Sequence, residues 1–478
     1  MGIATALCGV VGIIWDLAAP NLLLPQGGGG ATLLAALSSC ALGAAAYAYG
    51  KNHIRPELNR REAILAVALI WASAGVCGAL PFIFGASMSP ADALFEAVSG
   101  LTTTGATVIT DIETRLSRPL LLWRSMAQWL GGMGIVVLFV AVFPSLGAGG
   151  KHLYRGEAPG AQAEGFRPRI AETSITLWKI YAFFTLTEFV ILAVLGMDVF
   201  EALCHALTTM STGGFSTRDG SVGAFGMPAV EWTIATFMFI GSVNYGLFYV
   251  MLRKRDPRTF FRNVEFRVYL MICVLSVGLL TLFNLPIHGD LGTASRNAYF
   301  MVATTVSSTG YGSDDYTAWS APAFTLLIAL MFVGGCSGST AGGIKIERMV
   351  MLAKQGLAQV RSSFEPSVVQ VVRMGRNTVP KAILADVAVF FVIYMACLGA
   401  GIFLLAAVEG VPVPTAFGAM LTCLSNMGPA PFYDLHFNSD NFAAYSAGSK
   451  LFFVLSMLLG RLEFFTLFAL LLPDFWRR

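Results

Sequence analysis

The sequence predicts an all-α polytopic membrane protein: four span–pore loop–span repeats around a central pore, plus two extra N-terminal transmembrane helices. Three observations predict it. The 478 residues are 56% hydrophobic and only 12% charged, with mean hydropathy +0.69; soluble domains carry about 25% charged residues. Ten apolar stretches reach the ~20 residues that a bilayer-crossing helix needs. Four shorter apolar stretches lie between spans, and each ends in a similar glycine-containing tetrapeptide.

The first two spans run about 3–24 and 31–50, joined through Gly27 to Gly30. The others run about 62–84, 120–146, 174–196, 228–252, 266–285, 320–353, 382–407 and 448–472. This divides the chain into an N-terminal pair (1–55) and four repeats at 56–150, 151–255, 256–378 and 379–478. Met1 to Trp15 has no basic lead or small-residue cleavage pattern, so it reads as a retained span rather than a signal peptide. Since the chain enters an apolar run almost at once, the first span is expected to be short. The short stretches run about 90–104, 198–211, 293–308 and 414–425. Such lengths suit re-entrant helices. Ser89-Pro90-Ala91-Asp92, Asp198 and Pro414 supply caps and first-turn residues for three of them.

Charge placement sets the orientation. Of the 31 lysines and arginines, Arg115, Arg118, Arg218, Arg296 and Lys450 fall on one side and Arg124 and Arg461 fall inside spans. All the rest share the opposite side, which is cytoplasmic by the positive-inside rule. Both termini are then cytoplasmic, and all four short segments enter from outside. A net charge of +3 gives no reason to expect nucleic acid.

The tetrapeptides are Thr102-Thr103-Thr104-Gly105, Met210-Ser211-Thr212-Gly213, Ser307-Ser308-Thr309-Gly310 and Ser425-Asn426-Met427-Gly428. One alone is an ordinary turn; four on one membrane face, each behind a half-span, are not explained as connectors. A cation entering a membrane must exchange its water shell for oxygens, and rings of backbone carbonyls do this in potassium channels. Glycine accepts the backbone angles such loops need. The negative end of each half-helix favours a cation at the centre. The expected potassium ligands are therefore Thr103, Thr104, Gly105, Ser211, Thr212, Gly213, Ser308, Thr309, Gly310, Asn426, Met427 and Gly428, mainly through main-chain oxygens. The fourth loop lacks a hydroxyl at Met427.

The eighth span is interrupted at Gly334-Gly335-Cys336-Ser337-Gly338-Ser339-Thr340-Ala341-Gly342-Gly343. Glycine costs about 1 kcal/mol against alanine in a helix interior, so this segment should unwind. Unwound backbone at membrane depth must line a cavity. Small-residue packing at Gly334, Gly338 and Gly342 is the competing explanation. Arg461 sits in the last span, where an arginine costs ~2.5–3.5 kcal/mol even on the lenient scale. We expect Gly338, Ser339, Thr340, Gly342, Gly343, Lys345 and Arg461 to form a gate; an ion pair of Arg461 with Glu463 or another acid is the alternative.

Other chemistries find little support. His53, His152, His205, His288 and His436 show no metal spacing, Lys345 lacks the Walker pattern, and the eight cysteines contain no C-x-x-C pair. A membrane-embedded enzyme would need a catalytic cluster that is absent from the sequence. Glu96 and Glu201 lie in half-spans, where they brace the helices or attract cations. His205 is read as a packed neutral imidazole. The cytoplasmic loops at about 147–173, 253–265 and 354–380 are long enough to dock a partner and too short for a nucleotide-binding domain.

Several segments together resemble the Trk/Ktr/HKT superfamily of potassium transporters, most closely its TrkH/TrkG branch. They are Phe95–Ala106 (FEAVSGLTTTGA), Trp123–Gly134 (WRSMAQWLGGMG), Ser211–Thr217 (STGGFST), Ser308–Tyr311 (STGY), Gly338–Lys345 (GSTAGGIK), Asn426–Pro429 (NMGP) and Gly460–Glu463 (GRLE). They cover the chain from about residue 60 onward. The resemblance implies pseudo-fourfold repeats, filter glycines at Gly105, Gly213, Gly310 and Gly428, an intramembrane gating loop at 334–345 and a pore-facing Arg461. It also implies a homodimer in the bacterial inner membrane and a cytosolic, nucleotide-binding regulatory ring of the TrkA type. The two extra N-terminal spans favour the TrkH branch. Plant-type sodium-selective relatives carry serine at the first filter glycine, so Gly105 leans toward potassium over a mixed sodium/potassium pathway.

Overall fold

The computed structural model describes residues 1–18, 28–51, 59–141, 166–367, 371–375, 377–428 and 441–477. The end of the first expected span, Gly27, residues 142–165 and Pro429 lie outside them. Helices α1 (Gly2–Ala18) and α2 (Gly29–Gly50) form the N-terminal pair. Four units follow, each with a long helix, a buried half-length helix and a second long or broken helix. The first unit is α3 (Arg60–Ala86), α4 (Pro90–Leu101) and α5 (Arg118–Ala141). The second is α6 (Phe166–Val194), α7 (Val199–Met210), α8 (Pro228–Gly241) and α9 (Tyr245–Lys254). The third is α10 (Val264–His288), α11 (Leu291–Val306), α12 (Ala321–Met331) and α13 (Ile346–Phe364). The fourth is α14 (Lys381–Glu409), α15 (Val413–Ser425), α16 (Ala447–Leu462) and α17 (Phe464–Leu471).

Among the described residues α2, α3, α6, α10 and α14 are each long and apolar enough to cross a membrane. Their apolar side chains face outward as well as inward: Leu69, Phe183, Val274 and Phe403 are exposed. In water such surfaces would be a liability; in lipid they are the solvent-matched face. The chain is a multi-pass membrane protein.

Caps set the half-helices. Ser89 Oγ accepts the Asp92 N–H ahead of Pro90, and Asp198 accepts from Phe200 and Glu201. Asp290 does the same for Thr293, so that the third half-helix starts at Leu291, two residues before the expected start. The half-helices are buried almost throughout, with Phe95, Ala97, Phe200, Ala206, Phe300 and Leu421 essentially sealed from outside.

Three second helices are broken, two of them against the expectation of a straight span. α8 and α9 meet at 84° across residues 242–244, and α16 and α17 at 119° at Glu463. The stretch expected at 320–353 is not one helix: α12 stops at Met331, a loop occupies 332–345, and α13 resumes as an amphipathic helix. The glycine cluster predicts that break; the Ser242 and Glu463 bends carry no comparable glycine run. A short hairpin, Arg373–Met374 against Asn377–Thr378, lies in a segment expected to be loop.

Candidate ion site

The four loops that follow the half-helices share one backbone. Thr103, Thr212, Ser308 and Asn426 are left-handed, with φ of 53°, 53°, 57° and 51°. The next amide in each, at Thr104, Gly213, Thr309 and Met427, donates to the carbonyl five residues back, at 2.9, 2.9, 2.9 and 3.0 Å. Then come Gly105, Gly214 and Gly310 with φ of 80°, 79° and 84°, with Gly428 in the same place by register. This corrects the sequence alignment by one residue in the second loop. The backbone counterpart of Gly105 is Gly214, whereas Gly213 corresponds to Thr104. A Ser-Thr-Gly match cannot distinguish two adjacent glycines; the hydrogen-bond register does.

The loops adjoin one another in cyclic order. A Cβ on Gly105 would lie 2.2 Å from the Gly213 carbonyl oxygen and 3.5 Å from Gly428 Cα. One on Gly214 would lie 1.9 Å from the Thr309 carbonyl oxygen, and one on Gly428 would lie 2.5 Å from Gly310 Cα. Asn426 Nδ2 reaches Thr104 Oγ1 at 3.0 Å and so ties the fourth loop to the first. At Gly105 and Gly214 glycine answers two demands, a left-handed φ and backbone contact with the neighbouring loop; at Gly428 only the contact applies. A cavity of about 510 Å³ faces Gly105, Gly214 and Gly310 and also borders Asp219, Asp314, Asp315 and Arg218.

The loops are braced from behind. Glu96 and Arg124 form a buried pair at 2.6 Å. The Glu96 carboxylate also accepts from Thr107 Oγ1 and Val108 N, while Arg124 Nη1 donates to Ser216 O at 2.9 Å and its guanidinium lies 3.6 Å from the Phe215 ring centre. Glu201 pairs with Arg218 at 2.7 Å. Both glutamates therefore act as braces. His205 is packed as expected, with Nδ1 against Glu201 O at 2.8 Å and Nε2 against Ser216 Oγ at 3.0 Å. Tyr311 OH meets Thr208 Oγ1 at 2.5 Å and links the third loop to the second half-helix. Sequence reasoning missed Gln128, Tyr311 and Gly214. The Arg124/Gln128 spacing of one helical turn inside an apolar span was the available signal for the first.

The 332–345 loop sits under this ring. Thr340 Oγ1 is 3.2 Å from Thr212 Oγ1 and from Met210 O; Gly342 N donates to Ser308 Oγ at 2.5 Å, and Gly343 N to Ser425 O at 2.7 Å. Ser339 Oγ donates to Cys336 O, and Gly338 O accepts from Tyr245 N. Lys345 Nζ donates to Ala341 O within the loop. Arg461 Nη1 donates to Thr340 O at 2.8 Å, and the guanidinium is buried. Glu463 pairs instead with Arg348, at 2.5 Å, so the expected alternative of an Arg461–Glu463 pair is not formed. Glu265 accepts from the amides of Ser337 and Glu347 and so ties the middle of the loop to the first turn of α13. The cysteines form no disulfide among the described residues, and most are buried, as small hydrophobes would be.

Residues 32–474 match the family of the Cation transport protein TrkH. The Trk system potassium uptake protein TrkH of Salmonella typhimurium is 37% identical over 485 residues, covering 99% of each chain. TrkG of Escherichia coli is 33% identical, covering 92% of this chain and 90% of its own. The crystal structure of the potassium transporter TrkH from Vibrio parahaemolyticus superposes with a TM-score of 0.88 at 33% identity, covering 100% of this chain and 98% of that one. The chain therefore belongs to the TrkH cation transport family.

Proposed function

We propose that this protein takes up potassium across the cell membrane through the ring made by its four loops. The cyclic adjacency of the loops at Gly105, Gly214, Gly310 and Gly428 carries this reading. Carbonyls at matched heights on four sides are what a dehydrating cation needs. The relatives are named as potassium uptake proteins, which agrees in substrate. Potassium is cargo here, bound by Thr103, Thr104 and Gly105 and their counterparts in the other loops. In the second loop those counterparts are Thr212, Gly213 and Gly214; Ser211 lies one step deeper.

The 332–345 loop and Arg461 act as the gate in this reading. The loop's hydrogen bonds hold it against three of the four loop bases, and the arginine places a positive charge on the ion's exit path. The bacterial inner membrane, cytoplasmic termini, a homodimer and a TrkA-like ring docked on the cytoplasmic loops belong to the same proposal.

The test is growth rescue of bacteria deficient in potassium uptake, at low external potassium. Wild type should restore growth, and Gly105→Ser should lower potassium preference and admit sodium. Absence of rescue by a membrane-inserted wild-type protein would refute the reading.

A further inference from the structure

Three of the four loops carry a side chain at the position before the ring glycine: Thr104, Thr309 and Met427. The second carries Gly213. Its φ lies outside the left-handed region, so backbone geometry does not demand glycine there. Space does. A Cβ on Gly213 would lie 2.3 Å from Cδ of Gln128, which is wholly buried on α5. Gln128 fills the volume that a side chain takes up in the other loops, and it enters from another element.

Its amide is fixed at both ends. Nε2 donates to the Gly213 carbonyl at 2.7 Å, and Oε1 accepts from Phe215 N at 3.1 Å. The Phe215 amide can only donate, so the orientation of the Gln128 amide follows. Among the described residues no side chain donates to the equivalent carbonyls of Thr104, Thr309 or Met427. One of four matched carbonyls is therefore tethered, with one lone pair already engaged.

We propose that Gln128 is a positioning residue that sets cation selectivity by holding the Gly213 carbonyl. The inference rests on the uptake reading above. Sodium is smaller than potassium and needs the ring oxygens to close in; a carbonyl tied to α5 cannot follow. The adjacent N–H also lowers the field that carbonyl offers, which penalises the smaller ion more. Cavity size and field strength therefore act in the same direction.

The experiment compares full-length wild type, Gln128→Leu and Gln128→Asn in proteoliposomes, measuring potassium, rubidium and sodium uptake separately. Leucine removes the donor, and asparagine retracts the amide by one methylene while remaining polar. Losing one hydrogen bond should raise the sodium-to-potassium ratio roughly fivefold, with potassium uptake persisting. Equal loss of all three ions, an unchanged ratio in either folded variant, or failure of both variants to fold would reduce Gln128 to a packing role and overturn the proposal. Failure of wild type to take up potassium would instead strike the uptake reading itself.

Discussion

Glu96 and Arg124 show what a buried charge does at membrane depth. Neither is tolerable alone, and each is satisfied through the other and through groups on the first and second loops. Removing one partner of a buried pair costs about 3–5 kcal/mol, because the other is left uncompensated. Glu96→Gln or Arg124→Met should therefore lower thermal stability in detergent sharply. The double variant should lose less than the two singles summed, since no lone charge remains. Strict additivity in the unfolding measurements would mean the pair is not coupled. Tyr311→Phe is a milder change. It deletes the hydroxyl contact with Thr208 and should cost about 0.5–1.5 kcal/mol, a small downward shift in the melting temperature with folding intact.

At the scale of elements, the proposed gate is the loop between α12 and α13. Its two ends pack into the apolar core through Cys336 and Ile344, and the stretch between them is held by hydrogen bonds from loop backbone and from Thr340 and Arg461. Glycine-rich backbone held this way can be released without disrupting an apolar core. Arg461→Ala, and separately a deletion within 338–342, should each raise potassium uptake above wild type in flux assays. Flux at or below wild type in both would remove the gate assignment. This element was legible in the sequence, since five glycines in ten residues exclude a helix. The first two half-helices were equally legible through their caps, Ser89 and Asp198; the Asp290 cap of the third was not read. The sharp bends at 242–244 and at Glu463 were not. They arise where tertiary hydrogen bonds compete with the helix: Ser242 O accepts Cys336 N from the 332–345 loop, and Glu463 turns toward Arg348. Hydropathy sees only that both halves are apolar.

For the whole molecule, the decisive feature is closure of four sequence-distant loops into one ring. The repeat was visible as four tetrapeptides, and the structure places their loops side by side. The register of the second loop was not visible, because Gly213 and Gly214 are chemically identical and only φ and hydrogen bonding separate them. Gln128 was hidden for a related reason. It acts on a loop 85 residues away, and no spacing rule links the two. The ring also makes a global prediction: Gly105→Ser should perturb selectivity although its nearest neighbours, Gly213 and Gly428, belong to other repeats. The most direct measurement is an experimental structure of the full chain in rubidium, with its anomalous signal recorded. A rubidium peak is expected on the axis enclosed by Gly105, Gly214, Gly310 and Gly428, within coordination distance of their carbonyls. Well-ordered loops with no peak there, or rubidium bound only elsewhere, would contradict conduction through this ring.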